Sequence, residues 1–147
     1  MLCRMTTYST DRNEIQNKLK TLVAKNKCYE LLYLPQKNRL CLSIYGFWKS
    51  KSAVPAYLAD LGKALTLVKP GFTLLFDLST MITHPQSVMN LHIEAQMLLQ
   101  EAGLKKGACV NSIDRIANLQ AEAIFGQGYT STRHFASYSE AEAWLEQ

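Results

Sequence analysis

Phe72-Thr-Leu-Leu-Phe-Asp-Leu-Ser-Thr80, followed by Met81-Ile-Thr-His-Pro85, is the stretch whose reading decides the fold. Its apolar run is short, rich in large residues, and set off by Pro70-Gly71 before it. A run of that length between turn signals reads as a buried strand. It ends in Asp, Ser and Thr, and Pro85 then opens a helix, with His84 or Thr83 expected as its cap. Val88, Leu91, Ala95, Leu98, Leu99 and Ala102 give that helix a core face. Gly103 fits the left-handed residue that closes it.

The same grammar continues toward the carboxyl end. Residues 106–111 read as a strand, and Asp114 caps a helix carrying Ile116, Leu119, Ala123 and Ile124. Gly126-Gln-Gly128 should end that helix, and residues 132–136 form the last strand. Ser139-Glu-Ala-Glu142 reads as a capping box for a final helix with Trp144 and Leu145. Toward the amino end, Ser52 and Pro55 open a helix with Val54, Tyr57, Leu58, Leu61, Leu65 and Val68 on one face, stopped by Pro70-Gly71. Before it, residues 28–34 and 39–47 form two strands around a Pro35–Asn38 turn, close enough to pair as an antiparallel hairpin. Asp11 to Lys25 reads as a helix on Ile15, Leu19, Leu22 and Val23. After the hairpin, strands and helices alternate, which is an α/β pattern with parallel strands.

The 147 residues suit one domain, and 48% hydrophobic with 19% charged residues is a globular profile. No apolar run approaches the ~18 residues of a membrane span, and the amino end lacks a signal peptide's apolar centre. A cytoplasmic protein is therefore expected. Cys3, Cys28, Cys41 and Cys109 form no ligand-spaced cluster, so neither metal nor cofactor is expected. Residues 1–51 hold 10 Lys/Arg against 3 Asp/Glu, but the cations are scattered with little aromatic interleaving. They read as a solvated basic face, and no nucleic-acid partner is expected.

A family resemblance draws these pieces together. It rests on the Asn38-Arg39 turn, Gly46, Gly71-Phe-Thr-Leu-Leu-Phe-Asp77, Ala-Gly-Leu104 before Ala108-Cys-Val110, and the closing Phe135-Ala-Ser-Tyr-Ser-Glu-Ala-Glu-Ala-Trp-Leu145. Residues 28–147 resemble the SpoIIAA-like, or STAS-type, proteins, most of all their STAS/SEC14-like bacterial members. The resemblance implies a mixed, mostly parallel five-stranded sheet with β–α superhelical winding, and residues 1–27 as a helical extension. It also implies non-catalytic regulatory work through a protein partner. Family members switched by phosphorylation carry Asp-Ser-Ser/Thr-Gly at a helix start. This chain has Asp77-Leu-Ser-Thr80 there instead.

Two groups of residues are candidates for binding. Asp77, Ser79, Thr80, Thr83, His84 and Ser87 gather at a strand's carboxyl end and a helix start, where open α/β sheets bind ligands. The same residue types also cap helices and close turns. Met89, Ile93 and Met97 form a second apolar stripe, suited to a protein partner, a homodimer or a small apolar or anionic lipid-like ligand. The alternative is a helix buried on more than one face. Ser79 and His84 lack the G-x-S-x-G elbow of a hydrolase, so no catalytic residue is expected. His84 and His92, eight apart, form no clean metal pair on a helix. Finally, same-handed crossovers put successive helices on one face of a sheet. The other face would bear Leu75, Tyr45 and Phe47, and the amino-terminal helix or a second subunit is expected to cover it.

Overall fold

A computed structural model describes residues 20–125 and 131–147. Six strands run in the sheet in chain order: β1 (Thr21–Lys25), β2 (Tyr29–Leu34), β3 (Arg39–Gly46), β4 (Thr73–Met81), β5 (Lys106–Val110) and β6 (Ser131–Phe135). The first three pair antiparallel, and β3 to β6 pair parallel. The described helices are α1 (Tyr57–Leu65), α2 (Gln86–Glu101), α3 (Arg115–Phe125) and α4 (Tyr138–Leu145). The α/β class, the hairpin and the parallel crossovers are as the sequence indicates.

The sheet has six strands, where five were expected. Thr21–Lys25, read as the end of a helix, is β1 and pairs with β2 from Thr21↔Tyr33 to Lys25↔Glu30. Val23 and Ala24 pack on the core while Leu22 stays 56% exposed. The helical stripe there was thin, and sheet pairing with β2 outcompeted it. The sheet thus begins inside the segment read as an extension. The remainder of that expected helix, and the Gly126-Gln-Gly128 stop, lie outside the described residues.

Turn chemistry holds at the tight corners. Asn38 (φ 48°), Gly71 (φ 88°) and Gly103 (φ 97°) are all left-handed. A Cβ on Gly103 would come within 3.0 Å of Pro70 Cα, so the α2 end and the start of β4 meet closely. Two expected caps and one expected helix stop are displaced. Lys51–Ala53 is a 3-10 turn, and α1 starts after Ala56, so Ser52 caps nothing and bonds Ser50 instead at 2.6 Å. The same helix ends at Leu65, ahead of Pro70, with Thr66 Oγ1 donating to the Lys63 carbonyl. Ser137, not Ser139, caps α4: its hydroxyl accepts from Glu140 N at 3.2 Å and donates to Glu140 Oε1 at 2.9 Å. The sequence offers S-x-x-E at both offsets, and the one next to the strand is used.

The core lies between one sheet face and α1 to α3. Leu40, Leu42, Ile44, Phe72, Leu74, Phe76 and Leu78 meet Leu61, Val88, Leu91, Ala95 and Leu99 there. The other face is covered by α4. Its Ala141 and Leu145 join Cys41, Leu75, Ala108 and Val110, with Trp144 and Phe135 at the margin. A helix after the hairpin thus does reach this face, which the crossover argument did not allow; Phe47 stays 55% exposed, and the amino-terminal helix expected over it lies outside the described residues. The helix after the last strand has no further strand to reach, so the crossover rule does not bind it. It folds back over the opposite face. Arg39, buried beneath, holds it by a 3.2 Å ion pair to Glu146, and Lys37 reaches the same carboxylate at 2.7 Å.

Candidate interaction site at the carboxyl ends of the central strands

The β3–β4 pairing runs Ser43↔Asp77 and then Tyr45↔Thr80, so β4 carries an extra residue. That bulge lets Leu78 and Met81 both face the core, which strict alternation would forbid. Asp77 sits fifth in β4, opposite Val110, the last residue of β5. Its carboxylate accepts the Ser79 N–H at 3.0 Å. Asp77 therefore serves the bend in its own strand. Ser79 and Thr80 stand exposed beyond it.

The segment from Met81 to Pro85 is stitched to the α3 start by side chains that sequence reading did not connect. Asp114 accepts from Thr83 N and Thr83 Oγ1, both at 2.7 Å, and also caps α3 through Ile116 N and Ala117 N. The Thr83 hydroxyl and then its N–H hold the Asp114 carboxyl below the usual range. Gln120 clamps the His84 backbone, accepting from its N–H and donating to its carbonyl. Ser112 Oγ donates to the Met81 carbonyl at 2.6 Å. With Thr83 and His84 so engaged, neither caps α2. Pro85 holds the N-cap position, its carbonyl taking Val88 N and Met89 N. Ser87 is exposed on the first turn.

The His84 side chain turns inward. Its Nδ1 lies 3.0 Å from His92 Nε2, and its Nε2 lies 3.2 Å from the Gly46 carbonyl. A carbonyl only accepts, so neutral His84 carries its proton on Nε2 and accepts at Nδ1 from His92 Nε2–H. Trp48, fully buried, stacks on both rings at about 5 Å, and its Nε1 donates to the Cys28 carbonyl. Tyr57 and Tyr29 complete the aromatic box, and Tyr29 donates its hydroxyl to Asp60. Burial drives both imidazoles toward the neutral form, His92 to about 3, where the neighbouring His84 adds to the effect. The helix-spacing argument had separated these two histidines; His84 lies before the helix, in the loop, and so comes back over His92.

One turn past His92, Gln96 is buried with neither carboxamide atom hydrogen-bonded. It borders a cavity of about 20 Å³ shared with His92, Tyr57 and Phe76. That is room for one water molecule.

The outer stripe of α2 divides. Met89 is buried, Ile93 half-buried and Met97 56% exposed. Between α2 and α3 lies a groove of about 340 Å³. Met89, Ile93, Ile116, Leu119 and Ala123 line it, with Gln86 and Gln120 as polar members and no charged residue. Of the stripe Ile116, Leu119, Ala123 and Ile124, only Ile124 is buried, and Ala117, Ala121 and Phe125 are buried beside it. Ala117, Ala121 and Phe125 belong to the core cluster. Ile116 and Leu119 are left 57% and 62% exposed. The expected site therefore separates into structural caps, a buried histidine box and an open apolar groove. Among the described residues no cluster of three or more His, Cys, Asp or Glu could hold a metal, and no helix is long and apolar enough to cross a membrane.

No protein-family model matches the chain, and no curated protein matches it. Among solved structures, it is similar to an uncharacterized protein of the DUF3478 family from Shewanella loihica PV-4, described as having a SpoIIAA-like fold. The match has a TM-score of 0.61 and 11% identity, and covers 83% of this chain and 97% of that one. The chain has a SpoIIAA-like fold.

Proposed function

We propose that this SpoIIAA-like chain is a non-catalytic interaction module of regulatory type, and that its partner surface is the α2–α3 groove. The observation that carries the reading is the groove itself. It is apolar, uncharged and open, beside a strand edge whose polar groups are largely spent on the fold. The imidazole of His84 lends support, since both its nitrogens are engaged and neither is free to take a proton from Ser79. The same reading keeps the protein in the cytoplasm, which suits Cys28, Cys41 and Cys109, all free thiols. Exposed Ser79, Thr80 and Ser87 would lie at the margin of the contact.

A second reading, a carrier of an apolar or lipid-like ligand, draws on the groove's volume, which falls within the ~300–1,000 Å³ range of ligand pockets. The absence of Lys and Arg from its lining weighs against an anionic headgroup. Native mass spectrometry of protein taken from its own host separates the two. A protein complex without adduct supports the module, and a stoichiometric lipid-sized adduct supports the carrier.

A further inference from the structure

Single exposed leucines on a protein surface are ordinary, but a cluster of them marks a contact. Here Ile113 is 96% exposed, Ile116 57%, Leu119 62% and Met97 56%. Ile116, Leu119 and Ala123 follow one another at helical spacing along α3, and Ile113 lies one turn before them. The flank of this stripe is marked by one cation and one anion, Arg115 and Glu122, both exposed. They are seven residues apart, two turns on one side of the helix. Among the described residues neither makes an ion pair within the chain.

We propose that the occupant of this face is a second copy of the chain, with α3 packed antiparallel on α3 about a two-fold axis passing between Asn118 and Leu119. The proposal rests on the interaction reading above and names its partner. In a two-fold contact, residue i meets j while j meets i. An antiparallel pairing centred there sets Arg115 opposite Glu122 of the second copy, and Glu122 opposite its Arg115. Leu119 lies at the axis, and the groove side of each copy faces the groove side of the other. The charge arrangement is thus self-complementary in the one orientation that also buries the apolar stripe.

Size requires the groove to take part. With eleven residues, α3 is about 16 Å long. A stable interface buries roughly 800 Å² on each partner. The helix face alone falls short, and Ile93 and Met97 on α2 extend it. A membrane surface fits less well, because a helix that docks on anionic lipid carries several cations on its flanks. This flank carries one, balanced by a carboxylate.

The test is charge reversal in the full chain, read by analytical ultracentrifugation. Both substitutions keep the fold: Arg115→Glu puts an acid at a helix start and Glu122→Arg a base near its end, each the favourable sign for the dipole. Wild type is expected to be dimeric at about 100 μM, roughly a hundredfold above the weak, μM end for interfaces of standard size. Arg115→Glu alone and Glu122→Arg alone should each weaken the dimer at least about tenfold, since both two-fold contacts become repulsive. Mixing the two variants should restore a heterodimer, since both contacts become attractive again. A monomeric wild type overturns the proposal. So does a dimer that ignores either single reversal, or a mixture that fails to pair. Sedimentation of a monomer with phosphatidylcholine vesicles would overturn it in favour of a membrane surface. A monomer found in complex with a different protein by native mass spectrometry would end this inference and leave the interaction role standing.

Discussion

His84 Nδ1 and His92 Nε2 meet at 3.0 Å with their rings stacked 11° from parallel, closed in by Trp48. An N–H···N bond needs one nitrogen bare, so the pair is built for neutral imidazoles. Both groups are pushed below the ordinary histidine value by burial, His92 to about 3. An unfolded histidine titrates near 6.5. As pH falls below that, the unfolded chain takes up protons that the fold refuses, and stability drops. The stability is therefore fully present above about pH 6.5 and declines toward the folded values. His134, lowered by burial against a smaller opposing effect of Glu122, acts in the same direction. Asp114 and Glu146, whose values are lowered, lose their contributions only in the acid range below. Between pH 7 and 5 the melting temperature should fall, with His92 contributing up to about 1.4 kcal/mol per pH unit. His92→Gln should flatten the slope while lowering stability at pH 7. An unchanged slope in that variant would contradict the neutral pair.

Trp48 is fully buried against both imidazoles, Tyr29 and Tyr57. Trp48→Ala should cost about 3–5 kcal/mol in urea unfolding, as for other buried aromatics. Trp48→Phe keeps most of the packing and loses the indole N–H bond to the Cys28 carbonyl, which still accepts from Tyr45 N, so its cost should be only about 0.5–1.5 kcal/mol. Equal losses in the two variants would mean that the indole ring's extra contacts count for little.

Leu145 anchors α4 on the second face, 5% exposed. Leu145→Ala should destabilise the fold by about 2–5 kcal/mol. Glu146→Gln should also destabilise, because it deprives Arg39 of its carboxylate beneath the helix. A loss below about 1 kcal/mol at Leu145 would mean that α4 does not close this face.

Removing residues 1–26 takes away β1 and exposes the edge of β2, Tyr29–Leu34. A bare strand edge rich in Leu and Tyr invites pairing between chains. The truncated protein should aggregate or melt at lower temperature. If it stays soluble and equally stable, β1 does no protective work.

Order of elements was legible because each strand is a short apolar run between turn residues, and each crossover helix carries a clean stripe. The Phe72–Thr80 stretch, the Asn38 turn and the Gly103 stop all stand where local chemistry put them. What escaped was decided by tertiary partners. Thr21–Lys25 became a strand because β2 offers it an edge, and no local signal for that outweighs Leu22-Val23 at helical spacing. On α3 the apolar stripe points to Ile124 rightly, but Ile116 and Leu119 face solvent while the less apolar Ala117 and Ala121 are buried. At the site, Asp77, Ser79, Thr80, Thr83, His84 and Ser87 read as one group. Asp114 and Gln120, distant in sequence, take up Thr83 and His84, Asp77 turns to Ser79 N–H, and Ser79, Thr80 and Ser87 are left exposed.

Central to this account is a chain that acts by holding a protein partner, its own second copy included, through the α2–α3 groove. Native mass spectrometry of the protein isolated from its own host, beside a Leu119→Asp variant isolated in the same way, tests it most directly. The account predicts a discrete protein complex free of small-molecule adduct for wild type, and its loss in Leu119→Asp with the fold intact by circular dichroism. A monomer carrying one lipid-sized adduct, or a complex that survives Leu119→Asp unchanged, would contradict it.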